Sequence, residues 1–297
     1  MNQPLVTVAM AVRNCETTVA AAVRSVLNQT FQDWEMLIVD DGSTDGTLAE
    51  VRRFQDARVS VLHDGHIRGL AARLNEAIAL ASSEFLARMD GDDVCYPERL
   101  GLQLEYLRSH ADVDLVGGGV LVFEGDGQAL GKRIPPSAHA AICRRPRGGF
   151  PMAHPTWAGK TQWFQRHGYS EAVLHSQDQD VLLRAFESSC YANIPAILLG
   201  YRDDLDLGKL LGSRCWLARV VLAEYLRRGQ PLIGCLGVLE ACLKGAVDII
   251  AVLTGLRYRL LRHRARPITS EEASSWRKVW AAVADLKGTT RSSRGPE

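Results

Sequence analysis

The sequence contains neither a cysteine framework nor a strong excess of charge. Its seven cysteines leave one without a partner and include no pair in the Cys-x-x-Cys spacing, so we expect reduced thiols instead of disulfides or a zinc site. Lysine and arginine number 35 against 34 aspartates and glutamates, which gives a formal net charge of +1. Because nucleic-acid-binding proteins normally carry a marked basic excess, this balance argues against a nucleic-acid partner.

A secretory signal is also missing from the start of the sequence. Met1 leads directly into a strand-like run, without a basic segment followed by an apolar one. We therefore expect the protein to act in the cytoplasm. At 297 residues the chain is long enough for one substantial core and a smaller appendage.

No uncharged hydrophobic run reaches the length of about 20 residues that a bilayer span needs. The most apolar stretch, residues 232–256, is interrupted by Glu240, Lys244 and Asp248, whose four-residue spacing places them on one face of a helix. The segment that follows carries five arginines among leucine and tyrosine residues. We expect residues 231–266 to make peripheral contact with the anionic inner face of the cytoplasmic membrane. The alternative is that they self-associate or pack on the main domain, with the arginines solvated.

Apolar strand-like runs alternate four times with helical patterns in the first 110 residues. The strands are predicted at residues 6–12, 35–39, 59–63 and 85–90, and the helices at 16–29, 48–54, 70–81 and 100–107. Such alternation predicts an α/β fold with a mostly parallel sheet flanked by helices. Residues 124–150, which are rich in glycine, proline and arginine, are expected to be irregular.

Polar residues follow three of the predicted strands at their carboxyl ends, namely Arg13-Asn14, Asp40-Asp41 and residues 90–93. Ligands of open parallel sheets bind beyond the carboxyl ends of the strands, where loops and helix amino termini converge. We therefore expect these three groups to face one crevice.

Three carboxylates, Asp90, Asp92 and Asp93, lie in one short turn after the fourth strand. Like charges this close raise one another's pKa, and a bound cation is the simplest way to keep all three ionised. Oxygen ligands suit Mg²⁺ or Mn²⁺, and such ions also bind substrate phosphates. The sequence therefore predicts a magnesium or manganese site, with a solvated acidic turn as the alternative.

A further carboxylate, Asp178, lies just before an apolar helical stretch. The positive end of the helix dipole would keep it ionised, and near a metal-bound diphosphate it would accept a proton from an attacking hydroxyl. The alternative is an ordinary acidic first turn of a helix. Upstream, His154, Trp157 and Trp163 lie close together in the sequence. They are either structural or form an apolar wall for a sugar-like acceptor.

The segments around these residues resemble family 2 glycosyltransferases of the GT-A fold, which is Rossmann-like. The resemblance rests on residues 6–14, 25–31, 35–47 and 68–93, which stand in the family's order, and it covers residues 4–202. It implies a transferase of the kind that builds bacterial surface polysaccharides. A UDP-sugar is the default donor, Mg²⁺ or Mn²⁺ the metal, and a saccharide or lipid-linked saccharide the acceptor.

The resemblance also implies which residues hold the donor. Asp40 and Asp41 would hold the base and the ribose of the nucleotide. Arg13 and Asn14 would assist them, and Arg68 would contact the base or the diphosphate.

The metal and the base follow from two further motifs of the family. Residues 90–92 are similar to the DXD motif, in which Asp92 binds the metal that bridges the donor's diphosphate and Asp90 contributes to both metal and donor. Asp178 would be the general base. Beside it, Gln177 stands where relatives usually have glutamate, which removes one acid from the site.

We therefore hypothesise a metal-dependent inverting glycosyltransferase that acts by a single displacement. Residues 1–204 would form the GT-A domain, with a nucleotide-sugar-binding half at 1–110 and an acceptor half at 111–204, before a helical extension at 205–287 and a disordered tail at 288–297. One alternative is a sugar nucleotidyltransferase, although such an enzyme needs a glycine-rich loop after the first strand and none is present. Another is a catalytically silent binding or scaffold protein of the same fold.

Overall fold

The first half of the chain alternates strands and helices as its hydrophobic periodicity predicts. The computed structural model describes residues 3–203, 207–254 and 265–284. The first elements are β1 (Val6–Val12), α1 (Val19–Leu27), β2 (Trp34–Asp40), α2 (Thr47–Arg52), β3 (Val59–His63), α3 (Leu70–Leu80), β4 (Phe85–Asp90), β5 (Val94–Cys95) and α4 (Arg99–Ser109). The predicted strands and helices are all present, although α1 begins later because a turn over residues 15–18 precedes it.

The second half is less regular. Its elements are β6 (Leu115–Glu124), β7 (Gln128–Arg133), α5 (His139–Ile142), β8 (Ala158–Lys160), α6 (Thr161–His167), α7 (Gln177–Ala185), β9 (Tyr191–Arg202), α8 (Leu207–Arg227), α9 (Pro231–Leu253) and α10 (Ser270–Val283). The expectation that residues 124–150 are irregular is wrong in part, because β7 pairs antiparallel with β6. Gly125 and Gly127, with φ of 49° and 89°, form the turn between them.

The strands form one mostly parallel sheet. Within the described residues its order is β3-β2-β1-β4-β8-β6-β9-β5, and β7 pairs with β6 off this path. The strands β3, β2, β1 and β4 are mutually parallel, as are β6 and β9. The short β8 runs antiparallel between β4 and β6. This sheet, with helices packed against it, confirms the predicted α/β class, and its parallel part brings four carboxyl ends to one edge.

Each face of the sheet buries its own apolar cluster. On one face, α1 and α4 contribute residues such as Val23 and Leu104. On the other, α3, α7 and α8 contribute residues such as Leu74, Leu182 and Leu217. Burial of apolar area stabilises the folded state by about 25 cal/mol per Å². The two clusters therefore keep the helices packed on the sheet, and this packing holds the ends of the strands in fixed positions.

The carboxyl-terminal helices pack on two separate parts of the sheet. Leu217 of α8 joins the cluster that α3 and α7 form. The Trp276 ring of α10 lies 4.9 Å from the ring of Phe123 in β6, and Arg24 Nη1 of α1 donates to the Val283 carbonyl oxygen (2.9 Å). Removing everything after β9 would therefore expose apolar surface of the core, and a separate domain beginning near residue 205 remains a prediction.

The charged side of α9 faces its neighbours. Glu240 pairs with Lys244 (2.9 Å), and the buried Asp248 lies 3.4 Å from Arg214 Nε of α8. In the part of the chain that the structure describes, no helix has the length and apolarity that a bilayer span requires. Most of the arginine-rich segment and the predicted tail lie outside the described residues.

Candidate active site

The sheet register places two of the predicted acids side by side. Val12 at the end of β1 pairs with Asp40 at the end of β2, and Ala11 pairs with Asp90 at the end of β4. The two acids therefore flank β1 at the carboxyl edge of the parallel strands. Their convergence follows from the strand order and not from any long-range loop contact.

Asp40 is fully buried, and one of its carboxylate oxygens has no partner. Its Oδ2 accepts a hydrogen bond from the Ser43 backbone N–H (3.0 Å) and lies 2.9 Å from His63 Nδ1. Its Oδ1 has no hydrogen-bond partner among the described residues. Since leaving a buried acceptor unpaired costs about 1–3 kcal/mol, Oδ1 is well suited to accept a hydrogen bond from a ligand.

Asp41 holds the loop that leads into α3. It accepts hydrogen bonds from the backbone N–H groups of Arg68 (2.6 Å) and Gly69 (3.0 Å) and from Arg73 Nε (3.1 Å). The half-exposed guanidinium of Arg68 pairs with Asp64 (2.7 Å) at the surface. Asp41 therefore positions the backbone from which Arg68 projects.

Asn14 ties the end of β1 to the loop after β2. Its backbone N–H donates to Ser43 Oγ (3.1 Å), and its Oδ1 accepts from the Thr44 N–H (2.9 Å). It does so with a φ of 48°, a region that asparagine tolerates better than most residues. Arg13, just before it, is exposed. These contacts shape the loop around Asp40.

The three acids after β4 form a compact group. One carboxylate oxygen from each of Asp90, Asp92 and Asp93 lies within 4.8 Å of the others. Although Asp92 is at the surface, partial desolvation by the surrounding atoms and the charge of Asp90 raise its pKa to about 6. Burial, together with the charges of Asp92 and Asp90, raises the pKa of Asp93 well above its ordinary value. Bringing a cation to this group would relieve the repulsion.

The oxygens of this group fit a hard divalent cation. Asp93 Oδ1 accepts from the Arg202 N–H (2.8 Å), but its buried Oδ2 has no partner among the described residues. The side chain of Asp92 reaches solvent. Carboxylate oxygens in this arrangement are what Mg²⁺ and Mn²⁺ prefer, with further ligands from water or substrate.

Arg88, two residues earlier in β4, neutralises the charge of Asp90. Both Asp90 oxygens accept hydrogen bonds from the Arg88 guanidinium, which is almost completely buried. Burial lowers the pKa of Arg88, but the charge of Asp90, its hydrogen bonds to Arg88 and the nearby Tyr169 and Asp93 together outweigh burial, and the net pKa is raised. Because Asp90 already has a cationic partner, Asp92 is the acid with the least engaged side chain for a metal.

Asp178 lies in the first turn of α7, where Gln179 orients it. Gln179 Nε2 donates to Asp178 Oδ2 (2.8 Å), while Gln179 Oε1 accepts from the Phe150 N–H (2.7 Å). Burial raises the pKa of Asp178, although its hydrogen bonds to Gln179 and the charge of Arg88 oppose the shift. A raised pKa makes the carboxylate a stronger base than an exposed aspartate.

Asp90 and Asp178 line the same cavity, of about 670 Å³. His154, Tyr201 and the basic side chain of Lys132 also line it. The cavity therefore brings Asp90, one acid of the group, together with a desolvated carboxylate whose pKa is raised, whereas Asp92, Asp93 and Asp40 are not among the described residues that line it. A cation site beside a base is an arrangement that group transfer from a diphosphate can use.

Comparison with known proteins decides the family. The model of the family named glycosyl transferase family 2 matches residues 7–168. The chain is 30% identical over 249 residues to EpsE of Bacillus subtilis, a protein that carries the name of a glycosyltransferase, and the match spans 77% of this chain and 88% of EpsE. This chain belongs to glycosyl transferase family 2. It is therefore a glycosyltransferase, as the resemblance implied.

Two other relatives of this family 2 glycosyltransferase have names that state a reaction or a pathway. WfgD of Escherichia coli, named a UDP-Glc:α-D-GlcNAc-diphosphoundecaprenol β-1,3-glucosyltransferase, is 36% identical over 107 residues, which are 36% of this chain and 42% of WfgD. WcaA of the same species, which is named for colanic acid biosynthesis, is 30% identical over 191 residues, covering 62% of this chain and 66% of WcaA.

Solved structures confirm the GT-A fold of this family 2 glycosyltransferase. The crystal structure of S. aureus TarS residues 1–349 with UDP-GlcNAc superposes with a TM-score of 0.60 at 17% identity, over 94% of this chain and 81% of that 1–349 chain. The mannosyltransferase PcManGT of Pyrobaculum calidifontis, in complex with GDP-Man and Mn²⁺, gives a TM-score of 0.61 at 16% identity, over 95% of this chain and 86% of that one.

The three residues expected on the acceptor side of the glycosyltransferase differ in whether they line the cavity. His154 lines the cavity, and its Nε2 lies 2.7 Å from the Tyr169 hydroxyl. Trp157 and Trp163 are buried, at 0% and 4% exposure, and their rings lie 6.5 Å apart in the core. Because both indoles are buried and neither lines the cavity, their structural alternative describes them, and the expectation that they contact an acceptor is corrected.

Sequence reasoning missed two residues of this site. Arg88 had a signal, since a charged residue inside an apolar strand is normally paired when buried. Gln179 had none, because a glutamine in the first turn of a helix usually faces solvent. Its contacts to Asp178 and Phe150 exist because the fold places residues 149–151 beside the start of α7. A local sequence pattern does not reveal this proximity.

Proposed function

We propose that this glycosyltransferase transfers a sugar from a nucleotide-sugar to an acceptor hydroxyl by a single, inverting displacement that depends on a divalent cation. The observation that carries the proposal is that Asp90 and Asp178 line one cavity. An acceptor hydroxyl beside Asp178 then faces a sugar whose diphosphate lies beside the acids after β4. Attack from one side and departure on the other inverts the anomeric centre.

The chain's own residues divide the work. Asp178 accepts the proton of the acceptor hydroxyl as the new bond forms, and Gln179 keeps its carboxylate aimed into the cavity. Asp92 and Asp93 would hold Mg²⁺ or Mn²⁺, which supplies charge neutralisation for the departing diphosphate. Asp40, with its unpartnered Oδ1, accepts hydrogen bonds from the nucleotide. Arg68 lies in the loop before α3, which Asp41 holds beside the end of β2.

We propose a UDP-sugar as the donor and a lipid-linked saccharide as the acceptor. The names of related proteins support both, since WfgD is named for UDP-Glc and for a diphosphoundecaprenol-linked sugar. TarS was crystallised with UDP-GlcNAc, whereas PcManGT holds GDP-Man with Mn²⁺. Assembly of a bacterial surface polysaccharide at the cytoplasmic face of the membrane is the setting that fits these substrates.

Nucleotide-sugars should raise the melting temperature of the full-length protein when Mn²⁺ is present. A ligand that binds only the folded state stabilises it by about 2.7 kcal/mol at one hundred times its dissociation constant. We expect UDP-sugars to give the largest shift, and EDTA to remove it. Equal shifts for UDP-, GDP- and dTDP-sugars would contradict UDP selectivity, and no shift for any of them would contradict the proposed transferase.

We further propose that α9 docks on the membrane through an exposed apolar face. Successive turns of the helix leave large hydrophobic side chains exposed: Leu232, Leu236, Leu239, Leu243, Val247, Ile250 and Leu253. Contiguous apolar patches of this kind mark interaction sites. The arginine-rich segment that follows in the sequence supplies attraction to anionic lipid.

Replacing Leu236 and Leu243 together by glutamate should release the protein from anionic vesicles. Each buried leucine is worth about 1.5–3 kcal/mol, so we expect binding to vesicles of equal parts phosphatidylcholine and phosphatidylglycerol to fall at least about tenfold. The matched control replaces Leu80 and Leu102, which are exposed elsewhere, by glutamate. The unaltered protein could instead form dimers and fail to bind vesicles. If the Leu236 and Leu243 changes then dissociated these dimers, the apolar face would serve self-association and not membrane docking.

A further inference from the structure

A second cavity, of about 690 Å³, adjoins the first one at Asp178. The start of α7, the helices α8 and α9 and the loop before Phe150 enclose it. Asp178, Phe150 and Pro151 line both this cavity and the one that contains Asp90. We call it the basic groove, because four of its lining side chains are cationic: Arg144, Arg145, Arg214 and Lys244.

The basic groove carries an excess of positive charge. Among the described residues that line it, Asp178 and Glu240 are the acids against those four cations. Lys244 pairs with Glu240 (2.9 Å) and donates to the Gly148 carbonyl oxygen (3.2 Å). Arg214 lies 3.4 Å from Asp248. These two cations therefore have acidic partners within the protein.

Arg144 and Arg145 have no hydrogen-bonded acidic partner of this kind, although the charge of Arg145 acts on Glu240 at longer range. Both are exposed, and neither forms an ion pair with a residue that the structure describes. By contrast, Lys132 at the first cavity is paired with Glu272 (2.5 Å). Adjacent guanidinium groups that are not hydrogen-bonded to an acid bind anions with several oxygens well, since each donates paired N–H groups to carboxylate or phosphate.

The proposed function places the donor in the first cavity and the acceptor hydroxyl at Asp178, where the two cavities adjoin. An acceptor hydroxyl must reach Asp178, while the donor's diphosphate belongs beside Asp90 in the first cavity. The remainder of the acceptor then has the cavity that Asp178 lines and Asp90 does not, which is the basic groove. Glu240 and Lys244 of that groove lie on α9 next to its exposed apolar face, since Leu236 and Glu240 are one helical turn apart.

We propose that the basic groove binds a phosphate or diphosphate group that the acceptor carries at the end remote from the reacting hydroxyl. The inference rests on the proposed function, because that function places the acceptor hydroxyl at Asp178. Arg144 and Arg145 contact the anion, and Arg214 and Lys244 add to the field around it. An apolar chain attached to the phosphate would continue along the exposed face of α9.

Titrating inorganic diphosphate into the full-length protein tests the groove without any turnover. In EDTA and at low ionic strength, we expect binding that excess UDP does not displace. Changing Arg144 and Arg145 together to glutamine should weaken it at least about tenfold, as loss of charge-assisted hydrogen bonds predicts. The matched control changes Arg52 and Arg53, an exposed adjacent pair at the end of α2, and should bind as the unaltered protein does.

Three results would overturn the inference. Displacement of diphosphate by UDP would assign the anion to the donor site. Equal binding by the Arg144 and Arg145 variant would remove those residues from the contact. A variant that binds diphosphate normally but binds phosphatidylglycerol vesicles weakly would assign the arginines to bulk lipid headgroups. Because the titration consumes no donor, a negative result would not contradict the proposed sugar transfer. An enzyme that binds diphosphate as expected but transfers no sugar would contradict only the proposed transfer.

Discussion

Changing Asp178 to asparagine should lower kcat by about 10²–10⁴-fold, the usual contribution of a general base. Asparagine has the same shape as aspartate, and its side-chain oxygen can still accept the hydrogen bond that Gln179 Nε2 donates. The cavity should therefore keep its form while losing the group that takes the proton. Turnover with a lipid-linked or saccharide acceptor, compared with donor binding by calorimetry, separates these effects.

Asp180 supplies the matched control for this change. It lies two residues later in α7, and its carboxylate pairs with Arg184 (2.9 Å) instead of facing the cavity. Asp180→Asn should keep kcat within a few-fold of the unaltered enzyme. Full activity of the Asp178→Asn variant would show that Asp178 is not the base. Loss of donor binding in that variant would show that Asp178 contributes to substrate binding and not only to the transfer step.

The pH dependence of kcat gives a second readout of the same residue. Burial raises the pKa of Asp178, and the base must be deprotonated to act. The rate should therefore rise with pH through a limb that lies above the ordinary aspartate pKa of about 3.9. Saturating donor and metal keep substrate binding out of this measurement.

Local patterns predicted those parts of the site that the sheet register determines. Asp40 and Asp90 follow apolar runs that form β2 and β4, and because β1 lies between these strands, the two acids meet at one edge. The order of parallel strands thus converts positions distant in sequence into neighbours. The family resemblance gave the same grouping and added the expected roles.

Patterns failed where burial depends on the tertiary fold. Aromatic residues in a row, such as Trp157 and Trp163, look the same whether they line a cavity or pack behind it, and here they are core. Arg88 needed the strand order to show that its partner is Asp90. The basic groove joins Arg144 to Lys244 across a hundred residues, and only the packing of α8 and α9 brings them together.

Changing Asp92 to asparagine should abolish most of the metal dependence of donor binding. Asp90 is already bound by Arg88, and Asp93 accepts the Arg202 N–H, so Asp92 has the carboxylate most available to a cation. Altering even outer partners of a metal site costs roughly 10–100-fold in affinity. We therefore expect at least about 100-fold weaker binding of a UDP-sugar in Mn²⁺, and little change in EDTA.

Calorimetry of donor binding with Mn²⁺ and with EDTA measures this difference, and Asp33→Asn is the matched control. Asp33 is equally exposed but lies at the opposite end of β2, where its backbone carbonyl accepts the Leu5 N–H (3.2 Å). Because no described side chain donates a hydrogen bond to the Asp92 carboxylate, and because removing its charge relieves the repulsion with Asp90, the change should not lower the melting temperature of the unliganded protein. Unaltered Mn²⁺-dependent binding in Asp92→Asn would exclude it as a ligand and leave Asp93, whose buried Oδ2 is unpartnered, as the acid that holds the metal.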